Sequence, residues 1–269
     1  MKISRVWKIY FSPTGTTKKV MDALTSGFKE EVLEYDFTLP AARQGFADVD
    51  EGDLVFFGVP TYAGRVPNVL LKYLDTIKGN GALAVPVVTF GNRNFDNSLI
   101  ELRDILEKTG FHTVAGCAVS CEHSFSYTLG ASRPDLSDRV ELINFANQVR
   151  LKIIDMDELC APMEVDGIPE TYGGYYKPQD RNGNHIDIRK VIPKVSDACT
   201  DCGICAEVCP MGSIVAEDVR QMQGICIKCG ACYKKCPEKA RYFDDPGYLY
   251  HKEELEAMYE RRAENKYFL

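Results

Sequence analysis

Eight cysteines fall between Cys199 and Cys236, in two runs of identical spacing. Cys-Thr-Asp-Cys-Gly-Ile-Cys-Ala-Glu-Val-Cys-Pro at 199–210 recurs as Cys-Ile-Lys-Cys-Gly-Ala-Cys-Tyr-Lys-Lys-Cys-Pro at 226–237. Each run has the form C-x2-C-x2-C-x3-C-P. Thiolates are soft ligands that suit iron–sulfur clusters or zinc. A structural zinc site takes four ligands, usually as two separated pairs. Here three closely spaced cysteines wrap one corner of a cube, and the fourth lies too far along the turn to close the same cube. A complete spacing that occurs twice points to clusters, with zinc the competing reading. Gly203 and Gly230 let the backbone turn beside the sulfurs, and Pro210 and Pro237 fix the chain direction after the fourth thiol. Ile204, Val208, Ile214, Ile225 and Ala240 are placed to exclude water. Asp201 and Lys228 hold matching positions in the two runs, a charge difference read here as ordinary surface variation.

A second set of candidates lies near the N-terminus. Ser12-Pro13-Thr14-Gly15-Thr16-Thr17 follows a β-prone run and opens a helix. Free N–H groups and the helix dipole favour an anion there. Ser12, Thr14, Thr16 and Thr17 bring hydroxyl donors, and Gly15 lets the backbone come close. The turn contains no lysine or arginine, and it is neither G-x-G-x-x-G nor G-x-x-x-x-G-K-[ST]. It resembles the S/T-x-T-G-x-T phosphate loop of flavodoxins, which implies the phosphate of FMN.

Two more loops lie at strand ends. Pro60, Thr61, Tyr62, Ala63, Gly64 and Arg65 resemble the flavodoxin loop that holds the isoalloxazine ring. Tyr62 offers a π-face, and the backbone of 61–64 offers bonds to the ring edge. Thr89, Phe90, Gly91, Asn92 and Arg93 end another strand. Gly91 and Asn92 are expected at the flavin pyrimidine edge. Arg93 is either a partner for a reduced, anionic flavin or a solvated loop charge. Asp96 reads as a helix cap. His123 titrates near neutrality and is a candidate proton donor oriented by Glu122; a structural loop histidine is the competing reading. Cys117 reads as a core residue, and Cys121 and Cys160 have no ligand spacing.

The elements that must position these residues alternate. Strands are expected at 5–11, 31–39, 53–59, 82–90 and 111–120, and helices at 16–28, from Pro67, at 97–109 and at 136–155. Alternating β and α elements imply a parallel sheet covered on both faces. The stretch 159–195 is rich in Gly, Pro and Tyr and reads as a connector, either draped over a surface or flexible. The tail from 246 to 269 reads as a charged helix.

The whole layout resembles the EFR1-type family, a flavodoxin-like domain fused to a bacterial two-cluster ferredoxin. The resemblance rests on SPTGTT, GVPTYAGR, FGNR, EHS and both cysteine runs. It implies an α/β fold: a doubly wound, five-stranded parallel sheet of order 2-1-3-4-5 at 1–158, and a small α+β ferredoxin domain at 196–245. It also implies FMN, two [4Fe–4S] clusters and a crossed ligand set. Cys199, Cys202, Cys205 and Cys236 would hold one cluster; Cys226, Cys229, Cys232 and Cys209 the other. The function implied is electron transfer between clusters and FMN, with a redox partner protein or a small-molecule acceptor outside. Flavin-dependent reduction of a bound small molecule and redox sensing are the alternatives.

Bulk properties agree. Across 269 residues, 45% are hydrophobic and the formal net charge is −7. That balance disfavours nucleic acid as a partner. No apolar run approaches a membrane span. Lys2, Arg5 and Lys8 interrupt any signal-peptide layout, and eleven cysteines are an odd count, so a reducing, cytoplasmic setting is expected.

Overall fold

The computed structural model describes residues 1–269. Its centre is two apolar runs that contain almost no polar side chain, and these become β3 (Asp53–Pro60) and β4 (Leu83–Phe90). Nearly every residue in them is buried, as expected of parallel strands covered on both faces. β1 (Arg5–Tyr10) pairs in parallel with β2 (Glu31–Asp36) on one side and β3 on the other. The expected fifth strand is broken at Val114 and Ala115. β5 (His112–Thr113) and β6 (Gly116–Ser120) both pair with β4. The order is therefore β2-β1-β3-β4-β6, the flavodoxin-like 2-1-3-4-5 arrangement.

Helices close both faces. α1 (Thr16–Thr25) and α4 (Leu136–Asp155) bury Val20, Leu24, Leu142, Phe145 and Val149 on one side. α2 (Asn68–Leu74) and α3 (Ser98–Lys108) bury Leu70, Leu74, Leu99, Leu102 and Leu106 on the other. The N-terminus of α4 is fixed by a capping box between Asp135 and Asp138.

The connector is draped over the ligand end of this sheet. The N–H of Tyr176 donates to Ala63 O at 2.8 Å. Tyr172 and Tyr175 lie 4.8 and 4.9 Å from the Arg65 guanidinium, and Tyr176 lies 4.3 Å from that of Arg93. These cation–π contacts explain why a segment with so few aliphatic residues stays on the surface.

The cysteine-rich half is small. β7 (Lys194–Val195) precedes α5 (Ile204–Glu207) and α6 (Ala231–Lys234), and β8 (Arg241–Tyr242) returns to pair with β7. It sits against the same end of the sheet. Lys234 Nζ reaches Glu122 at 2.6 Å and lies 4.0 Å from the Tyr127 ring. Ile227 packs onto the α2–α3 side of the main core. Gly230 approaches Ser124 so closely that a Cβ would stand 2.6 Å from the Ser124 carbonyl oxygen.

The tail departs from expectation. α7 (Pro246–Met258) is helical, with Asp245 accepting from Tyr248 N at 2.9 Å. Beyond it the chain crosses back, and β9 (Lys266–Phe268) adds an antiparallel strand to β6. A three-residue strand carries too little pattern to be read in advance. No helix is long and apolar enough to cross a membrane.

Candidate cofactor sites

The eight thiols do not converge in the manner of a mononuclear ion. No three Cys, His, Asp or Glu side chains form such a group. They line two cavities instead, four apiece. Cys199, Cys202, Cys205 and Cys236 line the first; Cys209, Cys226, Cys229 and Cys232 line the second. The volumes to the open mouth are about 330 and about 380 Å3. Each run gives its fourth cysteine to the lining of the cavity that holds the other run's first three. Left-handed φ values explain the tight turns, 79° at both Gly203 and Gly230. Asp201 and Lys228 adopt nearly the same left-handed φ, 54° and 53°. Burial pushes the Cys232 thiol up to about 12, and a soft metal group bound there would favour its thiolate.

The turn expected to hold the phosphate has a fixed geometry. Gly15 (φ 89°) stands at the N-terminus of α1, and no acidic residue occupies the first helical turn. Thr14 and Thr16 are partly exposed, with their hydroxyls 3.3 Å apart. The other two hydroxyls are committed. Ser12 Oγ accepts from Lys18 N at 2.9 Å, and Thr17 shares a buried bond with Thr89 at 2.9 Å.

The loop after β3 folds into a tight turn. Tyr62 and Arg65 exchange backbone bonds of 2.9 and 3.1 Å, while Ala63 and Gly64 adopt positive φ. Thr61 N donates to Thr89 O. The N–H groups of Ala63 and Gly64 have no partner within the chain, so they are the donors left for a ligand. Tyr62 is half-buried. Desolvation, then Cys229 and Cys226, push its phenol pKa well up.

Several expected ligand contacts are spent elsewhere. Arg65 makes a buried, two-pronged pair with Glu101 at 2.7 Å for both bonds. Phe90 packs in the core against Phe95, with ring centroids 5.7 Å apart. Asn92 is a clip for the tail: its Nδ2 donates to Tyr259 O and Arg261 O, and its Oδ1 accepts from Ser120 Oγ and Ala263 N. Arg93 pairs with Asp96 and stacks on Tyr176. Asp96 is therefore not the cap of α3; Asn97 holds that position. Pro60 and Gly91 complete the two loops. A Cβ on Gly91 would stand 2.1 Å from the His123 ring, so that close approach requires glycine.

His123 sits in surroundings that favour its neutral form. Its Nδ1 accepts from Phe125 N at 3.1 Å, and Phe125 packs edge-on against the ring. Burial, followed by His251, Lys234 and Arg93, pushes its pKa down to about 3. It is neutral at pH 7 and does not donate a proton as imidazolium. Glu122 does not orient it, because Glu122 pairs with Lys234. His251, stacked on Tyr176, is likewise pushed down to about 4 by burial and Arg93. Both histidines charge near pH 6.5 once unfolded. The stability they contribute is therefore whole above about pH 6.5 and drains as pH falls toward about 4 and then about 3. Thermal midpoints measured from pH 7.5 to 4.5 are expected to fall, and the fall to be shallower in His251→Phe. An equal slope in both proteins contradicts this assignment.

Arg43 was not legible as a functional residue. It lies in a 3-10 turn (Pro40–Gln44) and donates to Phe37 O and Thr38 O. Thr38 Oγ1 accepts from Ser12 N in the phosphate turn, and Arg43 Nη2 reaches Pro210 O beside Cys209 at 2.5 Å. That last partner is 167 residues away, so no local motif announces it.

Residues 198–241 match the family described as the 4Fe-4S dicluster domain. The chain thus joins a flavodoxin-like strand order to a segment that matches the 4Fe-4S dicluster domain. Flavodoxin FldP of Pseudomonas aeruginosa (strain UCBPP-PA14) is 32% identical over 73 residues, which span 27% of this chain and 40% of that protein. The match thus covers less than half the length of this curated relative. Among solved structures, a flavodoxin from the domain Archaea has a TM-score of 0.40 at 15% identity, covering 54% of this chain and 99% of its own. The flavodoxin of Streptococcus pneumoniae TIGR4 has a TM-score of 0.39 at 17% identity, covering 55% and 99%.

Proposed function

We propose that this protein transfers electrons between two [4Fe–4S] clusters and FMN held at the ligand end of the flavodoxin-like sheet. When bound, the clusters pass single electrons and FMN accepts one or two. The observation that carries the reading is the seating of the cysteine-rich half on the ligand end of the sheet, where Gly230, beside Cys229, packs against Ser124 and Lys234 pairs with Glu122. Thr14, Gly15 and Thr16 would bind the phosphate, and Ala63 N and Gly64 N the ring edge. The first cavity is lined by the exposed Cys202 and is the proposed point of exchange with a redox partner protein or a small-molecule acceptor. Reduction of a bound substrate by the flavin is less favoured, because His123 is not available as its proton donor.

Anaerobic purification should give one FMN with iron and sulfide for two clusters; zinc without flavin would end the proposal. The relay has its own test. Lys234 is almost wholly buried in the contact between the halves, paired with Glu122. Lys234→Glu sets two carboxylates against each other and should loosen the docking that gives the cofactors a high effective concentration. Cluster-to-flavin transfer in stopped flow is expected to slow by at least about tenfold, with cofactor content unchanged. An unaltered rate refutes a relay through this contact.

A further inference from the structure

The two cysteine runs share one spacing, and at one buried position beyond them an apolar side chain is exchanged for a charged one. Ser213 N donates to Cys209 Sγ at 3.3 Å, and Ala240 N donates to Cys236 Sγ at 3.3 Å. One residue further on, the first run has Ile214 and the second has Arg241. Each lines one cavity: Ile214 the second, Arg241 the first. Their exposures are 4% and 2%, so the exchange is isoleucine for arginine at equivalent interior sites.

A guanidinium at such a site needs an explanation. Arg241 Nη2 donates to Cys205 Sγ at 3.0 Å and to Val219 O. Nη1 is buried and has no partner within the chain. No carboxylate pairs with the residue. An uncompensated buried charge costs several kcal/mol in general, which the interior does not sustain without a counter-charge. A [4Fe–4S] group on four thiolates is such a counter-charge. It is net negative, and one-electron reduction makes it more so. A fixed positive charge and an N–H···S bond favour the reduced form and raise the potential.

Other charges near the cavities are weaker candidates. Asp201, beside Cys199, is exposed and paired with Arg220. Lys228 is partly exposed and donates to the carbonyls of Arg189 and Cys226, not to a sulfur. Solvent screens both, whereas Arg241 acts through a low-dielectric interior. Arg241 also reaches Cys232 and Cys226 of the second cavity through space, but its direct sulfur bond falls on the first.

We propose that Arg241 makes the first cluster the higher-potential member of the pair, so that an electron shared between the two rests there. The inference needs the clusters and not the flavin. The test is anaerobic potentiometry of the full chain followed by electron paramagnetic resonance, with each couple assigned to its cysteines by their shifted β-proton resonances. In the native chain the higher couple should belong to Cys199, Cys202, Cys205 and Cys236. Arg241→Ile installs the residue of the first run. It is expected to lower that couple and close the gap by at least a tenfold change in the inter-cluster equilibrium, about 59 mV for one electron. Arg241→Lys keeps the charge and should keep most of the gap, while Lys228→Gln should move either couple less than Arg241→Ile does. An unchanged gap in Arg241→Ile with full iron and sulfide overturns the proposal, as does assignment of the higher couple to the second set. Should Arg241→Ile lose a cluster, Arg241→Gln provides the same test with the same two outcomes.

Discussion

Cys236→Ala is expected to abolish the [4Fe–4S] signal of the first run's cysteines and to spare that of the run in which Cys236 itself lies. The reason is the cavity lining. Cys236 faces Cys199, Cys202 and Cys205, although it is ten residues past Cys226 in its own run. Alanine leaves three thiols and offers no ligand atom of its own, so the cube loses its fourth thiolate corner. Cys209→Ala is the mirror case and should cost the cluster of Cys226, Cys229 and Cys232. Double variants make the test independent of spectral assignment. Adding Cys202→Ala to Cys236→Ala should remove no further cluster, because both belong to one site. Adding Cys229→Ala to Cys236→Ala should remove the last. Electron paramagnetic resonance after dithionite reduction, with iron and sulfide analysis, reads each outcome. If Cys202→Ala with Cys236→Ala loses both clusters, the ligands do not cross.

What was legible in the sequence was whatever a short window contains. The first three thiols of each run line one cavity together, so their spacing survives in the structure. The strands at 53–60 and 83–90 are apolar throughout, and only a two-faced sheet explains such runs. The long helix 136–155 announces itself by its length. What was not legible depends on distant chain. Asn92 looks like a ligand-loop amide, yet all its bonds except that to Ser120 reach residues 259–263. Arg65 looks free until Glu101 and the connector tyrosines arrive. His123 has the right chemistry for a proton donor, but its surroundings remove the charged form. The contrast of Ile214 with Arg241 is a different case. It is visible once the repeats are aligned five residues past the last cysteine. An arginine in a short strand nevertheless reads as a surface residue until burial is known.

The tail is held by one buried ion pair, which carries the largest expected loss of stability. Arg133 Nη2 reaches Asp138 at 2.6 Å, and both side chains are almost wholly inaccessible. Arg133 Nη1 also donates to Ala263 O at 2.6 Å, and Asn265 and Arg262 join at Asp138. Burial works to raise the Asp138 pKa, but Arg133, the Asp135 backbone and Asn265 outweigh it and hold it below the usual carboxylate range. The stabilisation is therefore present above about pH 4 and is lost as pH falls through the lower, folded value. Arg133→Met leaves Asp138 buried without its main partner, and such a break costs about 3–5 kcal/mol. The expected fall in thermal midpoint, followed by far-ultraviolet circular dichroism, is on the order of 10 °C. The second variant separates two explanations. Arg133→Met with Asp138→Leu removes both charges, so the penalty of the orphaned carboxylate vanishes and part of the loss should return. Full recovery is not expected, because Asp138 also closes the helix cap and holds Asn265. A double variant no more stable than Arg133→Met would place the energy in packing and the tail contacts, not in the charge.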